Sequence, residues 1–388
     1  MAMTLSVEQM MMQAVSETGI DSFKNKDFLP ALNTLVNSLN EEANLNELGN
    51  QLQYARLTEL LKTRLKLEAF EEAYPEILQE ELSPPIVILS LPRTGTTMLQ
   101  RLLATDRRFL STLWYEVRFP VPELNWDFRT ETDTRIPTAK AEVAALIEAN
   151  PDLLSIHPLD AIAPDEDLLL LETTFLSSVP GSQANIPTYN KFYENDDALA
   201  ATRYHKKLLQ FLQWQRRQCG MDVEDKPWLL KSPAHMYTVA AIRLVYPGAR
   251  FMTSHRNPLA CVPSISSFYY NQWVVYSNKV DATTCGEVTS HFFNAGLGRA
   301  HQASLEEPAS FLDFEYEDLI GKQDEILQQI YNFIGWDMTP ECRQGIENFR
   351  KNNPRNKRKP HDYSLEQFGL SAQGLKDSFS SYFDRRSY

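Results

Sequence analysis

Residues 84 to 103, "PPIVILSLPRTGTTMLQRLL", constrain the chain more than any other stretch. Ile86, Val87, Ile88 and Leu89 form a short apolar run of β-formers, as in a strand buried on both faces. Met98, Leu99, Leu102 and Leu103 recur at helical spacing. Between them lie Pro92, Arg93, Thr94, Gly95, Thr96 and Thr97. A strand, a tight glycine turn with hydroxyls and a helix N-terminus together make an anion cradle. The Walker pattern G-x-x-x-x-G-K-[ST] is not met, because Thr96 follows Gly95 and Ser90 stands where the first glycine belongs. Arg93 can instead fork two oxygens of a phosphate or sulfate, with Thr96, Thr97 and the helix N–H groups completing the cradle. No apolar strand ending in an aspartate supplies a magnesium ligand, so the expected anion is one whose transfer needs no metal.

Further strand-like runs are "PWLLKSP" (227–233), "ARFMTSHRNP" (249–258) and "ASFLDFEY" (309–316), separated by helical stretches. That alternation predicts an α/β fold with a parallel sheet flanked by helices. Residues 1–80 carry leucines at three- and four-residue intervals. They are read as an N-terminal helical segment packed on the core, in preference to a lid or dimer arm; 81–388 form the α/β domain. Residues 119–195, rich in proline and acids, are expected to roof the C-terminal edge of the sheet, where α/β ligands bind. A net charge of −13 argues against nucleic acid or an anionic membrane as partner, so an anionic ligand needs a local basic site. Cys219, Cys261, Cys285 and Cys342 show no CxxC pairing, which speaks against a zinc knuckle or disulfide scaffold. With no secretory leader and no membrane-length apolar run, a cytoplasmic location is expected.

A second anion segment is "HRNPLACVPS", in which Arg256 ends a strand and Ser264 follows eight residues on. Both can reach one phosphate, one by charge and one by hydroxyl.

These motifs resemble those of sulfotransferases that use 3′-phosphoadenosine 5′-phosphosulfate (PAPS), in their bacterial-type branch. "LPRTGTTMLQRLL" resembles the 5′-phosphosulfate loop, with Arg93 where tyrosylprotein sulfotransferases carry arginine, and "HRNPLACVPS" resembles the 3′-phosphate motif. "FEYEDLIGKQDEILQQIYNFIGW" and "HDYSLEQFGL" resemble later segments, so the likeness covers about residues 84 to 370. It implies a P-loop-like sheet, PAPS as co-substrate without a metal, and a small-molecule acceptor with a hydroxyl or amine. A homodimer is allowed; nucleic acid and membrane are not implied.

The resemblance implies cofactor contacts from Arg93, Thr94, Gly95, Thr96, Thr97, Arg256, Ser264, Tyr316 and, in the basic cluster "RKNNPRNKRKP", Arg358. Arg93 and Lys231 of "LLKSP" are the candidate cations on the transferring group. The base is contested. His235 lies four residues past Lys231, whereas cytosolic relatives place a histidine two residues on. Glu116 lies 23 residues past Arg93 with Arg118 two further, the tyrosylprotein spacing, and is preferred. Glu166 in "PDEDLLLLE" is a second carboxylate that could face the acceptor; His157 and His255 are read as structural or substrate-lining. The rings of "WYEVRFPVPELNWDF", "FYYNQWVVY" and "TYNKFY" are expected to make an aromatic acceptor pocket. Two other readings are a P-loop kinase, which lacks its lysine here, and a non-catalytic nucleotide-binding protein, which needs none of Glu116, Lys231 and His235.

Overall fold

A computed structural model describes residues 4–129, 131–149, 159–353, 364–386 and 388. Arg358 and His157 lie outside the described residues. The centre is a five-stranded, wholly parallel sheet in the order β2-β3-β1-β4-β5. Its strands are β1 (Ile86–Ile88), β2 (Leu110–Ser111), β3 (Trp228–Lys231), β4 (Arg250–His255) and β5 (Phe311–Glu315). Four of the five coincide with the apolar runs; β2 was not anticipated.

Alternate strand residues enter opposite apolar layers. Val87, Leu230 and Phe251 join the larger cluster, while Ile86, Ile88, Leu229 and Met252 join the smaller. This is why β1, paired on both edges and covered on both faces, reads as a continuous apolar run. The larger cluster also takes in Met10 from the N-terminal helix α1 (Val7–Thr18), Leu32 and Leu35 from α2 (Leu29–Glu41), and Leu61 and Leu65 from α3 (Glu47–Ala73). Each fully buried leucine contributes roughly 1.5–3 kcal/mol. Four of them rival the net stability of an ordinary domain, and they pack these helices into the core. The proline-free run from Ala31 to Tyr74 is two helices. Asn44 takes a left-handed φ of 49°, and Asn46 caps α3 by accepting a hydrogen bond from Gly49 N. Gly49 must be glycine, since a Cβ there would lie 2.0 Å from the Tyr276 carbonyl oxygen.

Register places the chemistry. Ile88 at the end of β1 pairs with Lys231 at the end of β3, so the loop after β1 opens beside that lysine. The C-terminal ends of β1, β3, β4 and β5 lead into Arg93, Lys231, Arg256 and Tyr316 respectively, all at one edge of the sheet. Among the described residues, no helix is long and apolar enough to cross a membrane.

Candidate active site

The loop between β1 and α4 (Thr96–Leu103) is tied to β4. Ser90 Oγ donates to the Ser254 carbonyl, Ser254 Oγ donates to the Thr94 carbonyl at 2.8 Å, and Thr94 Oγ1 donates to the Leu91 carbonyl at 2.7 Å. Thr94 is fully buried, so its hydroxyl braces the loop and does not face the cavity. Arg93 and Gly95 both take left-handed conformations, φ 71° and 78°. A Cβ on Gly95 would crowd Leu319 and the Tyr316 ring at 3.2–3.3 Å. This fold of the loop turns Arg93, Gly95, Thr96 and Thr97 onto the wall of a cavity of about 400 Å³.

Lys231, Glu166 and Ser264 line the same cavity. Lys231 is only 3% exposed; its Nζ donates to Thr97 Oγ1 at 3.1 Å and to Glu166 Oε1. The lysine therefore joins the anion loop to a carboxylate, across the register fixed by β1 and β3.

Below this pair sits Asp167, which sequence reasoning missed. Its Oδ1 accepts from Lys231 N at 2.8 Å, and its Oδ2 contacts His235 Nε2 at 2.7 Å and His205 Nε2 at 3.0 Å. Burial opposes its charge, yet the charge of His235 and hydrogen bonds from both histidines prevail and hold the carboxyl well below its usual range. The only local hint was an acid followed at once by four leucines. A depressed folded-state pKa gives stability that is fully present above the unfolded value of about 3.9 and lost as pH falls through the folded value. Asp167→Asn should accordingly show a lower denaturant midpoint than wild type at neutral pH, with the gap narrowing below about pH 4. A gap that is the same at pH 3 and pH 7 would remove this account.

His235 does not reach the cavity wall. It is 2% exposed, with Nε2 on Asp167 and Nδ1 3.2 Å from Thr238 Oγ1. Glu116 is not brought there either. On α5 (Trp114–Arg118) it is 3% exposed, and its carboxylate meets Arg216 Nε at 3.0 Å and Nη2 at 2.5 Å, and Leu113 N at 2.9 Å. Trp114 of the same helix does line the cavity; two residues along a helix is a turn of about 200°, which points Glu116 the other way. Arg118 is paired with Glu142. The spacing from Arg93 thus singled out Glu116, whereas the fold presents Glu166.

Arg256 connects the two anion motifs. Its Nη1 donates to the Arg93 carbonyl at 2.7 Å, and its guanidinium lies 4.3 Å from the centre of the Tyr316 ring. Ser264 faces the cavity from the helix Pro258–Tyr276, which Asn257 caps by accepting from Leu259 N. Much of the remaining lining is apolar: Trp114, Leu168, Leu169, Ile265, Phe268 and Tyr269 among others. Two of the three aromatic segments contribute to it. Tyr189 of "TYNKFY" is buried elsewhere, and Phe292 and Phe293 of the helix Ala282–Glu306 join the wall unannounced.

Comparison with known proteins places this architecture. Two curated relatives, the omega-hydroxy-beta-dihydromenaquinone-9 sulfotransferases Stf3 of Mycobacterium bovis and Mycobacterium tuberculosis, are each 25% identical over 262 residues. That match takes in 65% of this chain and 63% of theirs. Sulfotransferase STF1 of M. tuberculosis H37Rv superposes with a TM-score of 0.84 at 25% identity, covering 97% of this chain and 99% of that one. Sulfotransferase STF9 from Mycobacterium avium gives a TM-score of 0.87 at 23% identity, over 99% and 97% of the two chains, a likeness of fold. The Sulfotransferase family itself matches residues 84–340, from just before the first core strand to beyond the last. On that match the chain belongs to the sulfotransferase family.

Proposed function

We propose that the protein transfers a sulfuryl group from PAPS to the hydroxyl of a small, largely apolar acceptor, with Glu166 as the base. One observation carries this: a single cavity is lined both by the anion loop, Lys231 and Glu166 and by many aliphatic and aromatic side chains. The donors fit a phosphosulfate, since Arg93 can fork two oxygens, Thr96 and Thr97 stand at a helix start, and Ser264 adds a hydroxyl. When bound, PAPS supplies the sulfuryl group, which leaves its phosphate for the acceptor oxygen. Arg256, beside the loop, is the reader of the 3′-phosphate. Lys231 has three N–H donors; Thr97 and Glu166 engage two, and the third serves negative charge developing at the loop. Glu166, on the same wall, is the carboxylate positioned to take the acceptor's proton. Thr94 remains a cofactor residue through its part in shaping the loop. The wall's aliphatic and aromatic side chains support an apolar alcohol, the chemical kind named in the omega-hydroxy-beta-dihydromenaquinone-9 relatives.

Adenosine 3′,5′-bisphosphate should raise the melting temperature in the presence of EDTA. At one hundred times its Kd, a ligand of the native state alone adds about 2.7 kcal/mol. Stabilisation by ATP with magnesium, and none by the bisphosphate, would reverse the donor assignment. Transfer of labelled sulfur from PAPS to a panel of apolar and polar alcohols then tests the acceptor.

A further inference from the structure

Residues of the segment Ser380–Arg386, and Tyr388, contact residues of β4 and β5 and Arg256 just after β4. Tyr382 is 3% exposed; its hydroxyl hydrogen-bonds His255 Nδ1 at 3.1 Å and reaches the Arg256 carbonyl at 3.4 Å. Arg386 donates from Nη1 to Glu315 and from Nη2 to Asp313, both at 2.9 Å. Tyr388 donates to the other Glu315 oxygen at 2.7 Å and stacks on Tyr382. His255 and Glu315 are the last residues of the two strands, Arg256 lies just beyond β4, and Asp313 lies within β5. His255 immediately precedes Arg256, and Glu315 immediately precedes Tyr316. Those following residues are the pair in which the guanidinium lies over the phenol ring. The side chains of Leu375, Phe379 and Tyr382 belong to the core, whereas the Tyr382 hydroxyl and the Arg386 guanidinium make polar contacts that apolar packing does not require.

We infer that this segment is a latch that fixes Arg256 against Tyr316 and the loop, with Tyr382 and Arg386 as positioning residues for 3′-phosphate recognition. The inference rests on the reading of Arg256 given above. A guanidinium held at both ends, by its backbone through Tyr382 and by its ring partner through Glu315, gives up less freedom on meeting a phosphate. The latch should therefore act on 3′-phosphate discrimination and not on binding in general.

The experiment compares adenosine 3′,5′-bisphosphate with adenosine 5′-phosphate by calorimetric titration of wild type, Arg256→Ala, Tyr382→Phe and Arg386→Leu. Wild type should prefer the bisphosphate, and Arg256→Ala should erase that preference. Tyr382→Phe, which keeps the ring and its stacking, and Arg386→Leu should each weaken the bisphosphate about three- to tenfold and the monophosphate less than about twofold, the scale of one hydrogen bond. Arg386→Lys should restore part of the loss. If Arg256→Ala behaves as expected while both latch variants keep the wild-type preference, or lose both ligands equally, the latch is wrong and the reading of Arg256 stands. A wild type with no preference would overturn both. Tyr382→Phe carries the test if Arg386→Leu does not fold.

Discussion

Glu166→Gln is expected to lower turnover by about 10²–10⁴, the usual contribution of a positioned base, while binding of adenosine 3′,5′-bisphosphate stays near wild type. The substitution is nearly isosteric, and its amide oxygen can still accept from Lys231 Nζ, so the link through Lys231 to Thr97 and the loop survives. What is lost is the ability to take a proton. Lys231→Ala should also reduce turnover strongly, but through a different quantity: it removes the positive charge beside the loop and leaves Glu166 without its ion-pair partner. The two variants separate on the nucleotide. Lys231→Ala should weaken binding of the bisphosphate as well as turnover, and Glu166→Gln should not. Single-turnover rates with PAPS, read beside calorimetric Kd values, make the comparison. Near-normal turnover in Glu166→Gln would take the base away from this carboxylate.

What could be read from the sequence depended on how local its cause was. The strand–loop–helix of residues 84–103 was legible because an apolar run, a glycine that must adopt positive φ and a helical leucine pattern all lie within twenty residues. Strands β1 and β3 were legible because parallel strands buried on both faces read as near-continuous apolar runs, and β4 and β5 because short β-forming runs stand out between helical stretches. Strand β2 has two residues, too few for any period, and exists only because it pairs with β3. Glu116 was expected at the cavity, and its absence from the wall has a related reason. Distance along the chain from Arg93 selected Glu116, but the direction of a side chain is decided by its partner, and Arg216 lies a hundred residues away. Asp167 was invisible for the same cause: its role consists of contacts to His205, Lys231 and His235, 38 to 68 residues distant. Arg256 and Ser264, by contrast, lie one turn-and-helix apart, and the sequence brought them to the right edge of the sheet.

Arg216→Met should destabilise the protein by about 3–5 kcal/mol, the cost of leaving one member of a buried ion pair behind. Arg216 and Glu116 are 7% and 3% exposed, and the guanidinium makes two contacts to the carboxylate, a third to the Ser111 carbonyl, and covers the Trp228 ring. Methionine fills much of that volume, so the loss comes mainly from the stranded carboxylate. Glu116→Gln should also destabilise, because it strands the guanidinium, yet it keeps an acceptor for Leu113 N. The double variant should be more stable than the sum of the two losses predicts, since no buried charge is then unmatched. Urea midpoints of the four proteins read this directly. The same series decides between the two glutamates. If Glu116 is a brace and Glu166 the base, folded Glu116→Gln turns over at nearly the wild-type rate while its urea midpoint falls. The opposite pattern, an unchanged midpoint with turnover lowered a hundredfold or more, would mean that Glu116 leaves Arg216 during the reaction. The carboxylate that touches Lys231 would then be its partner and not the base.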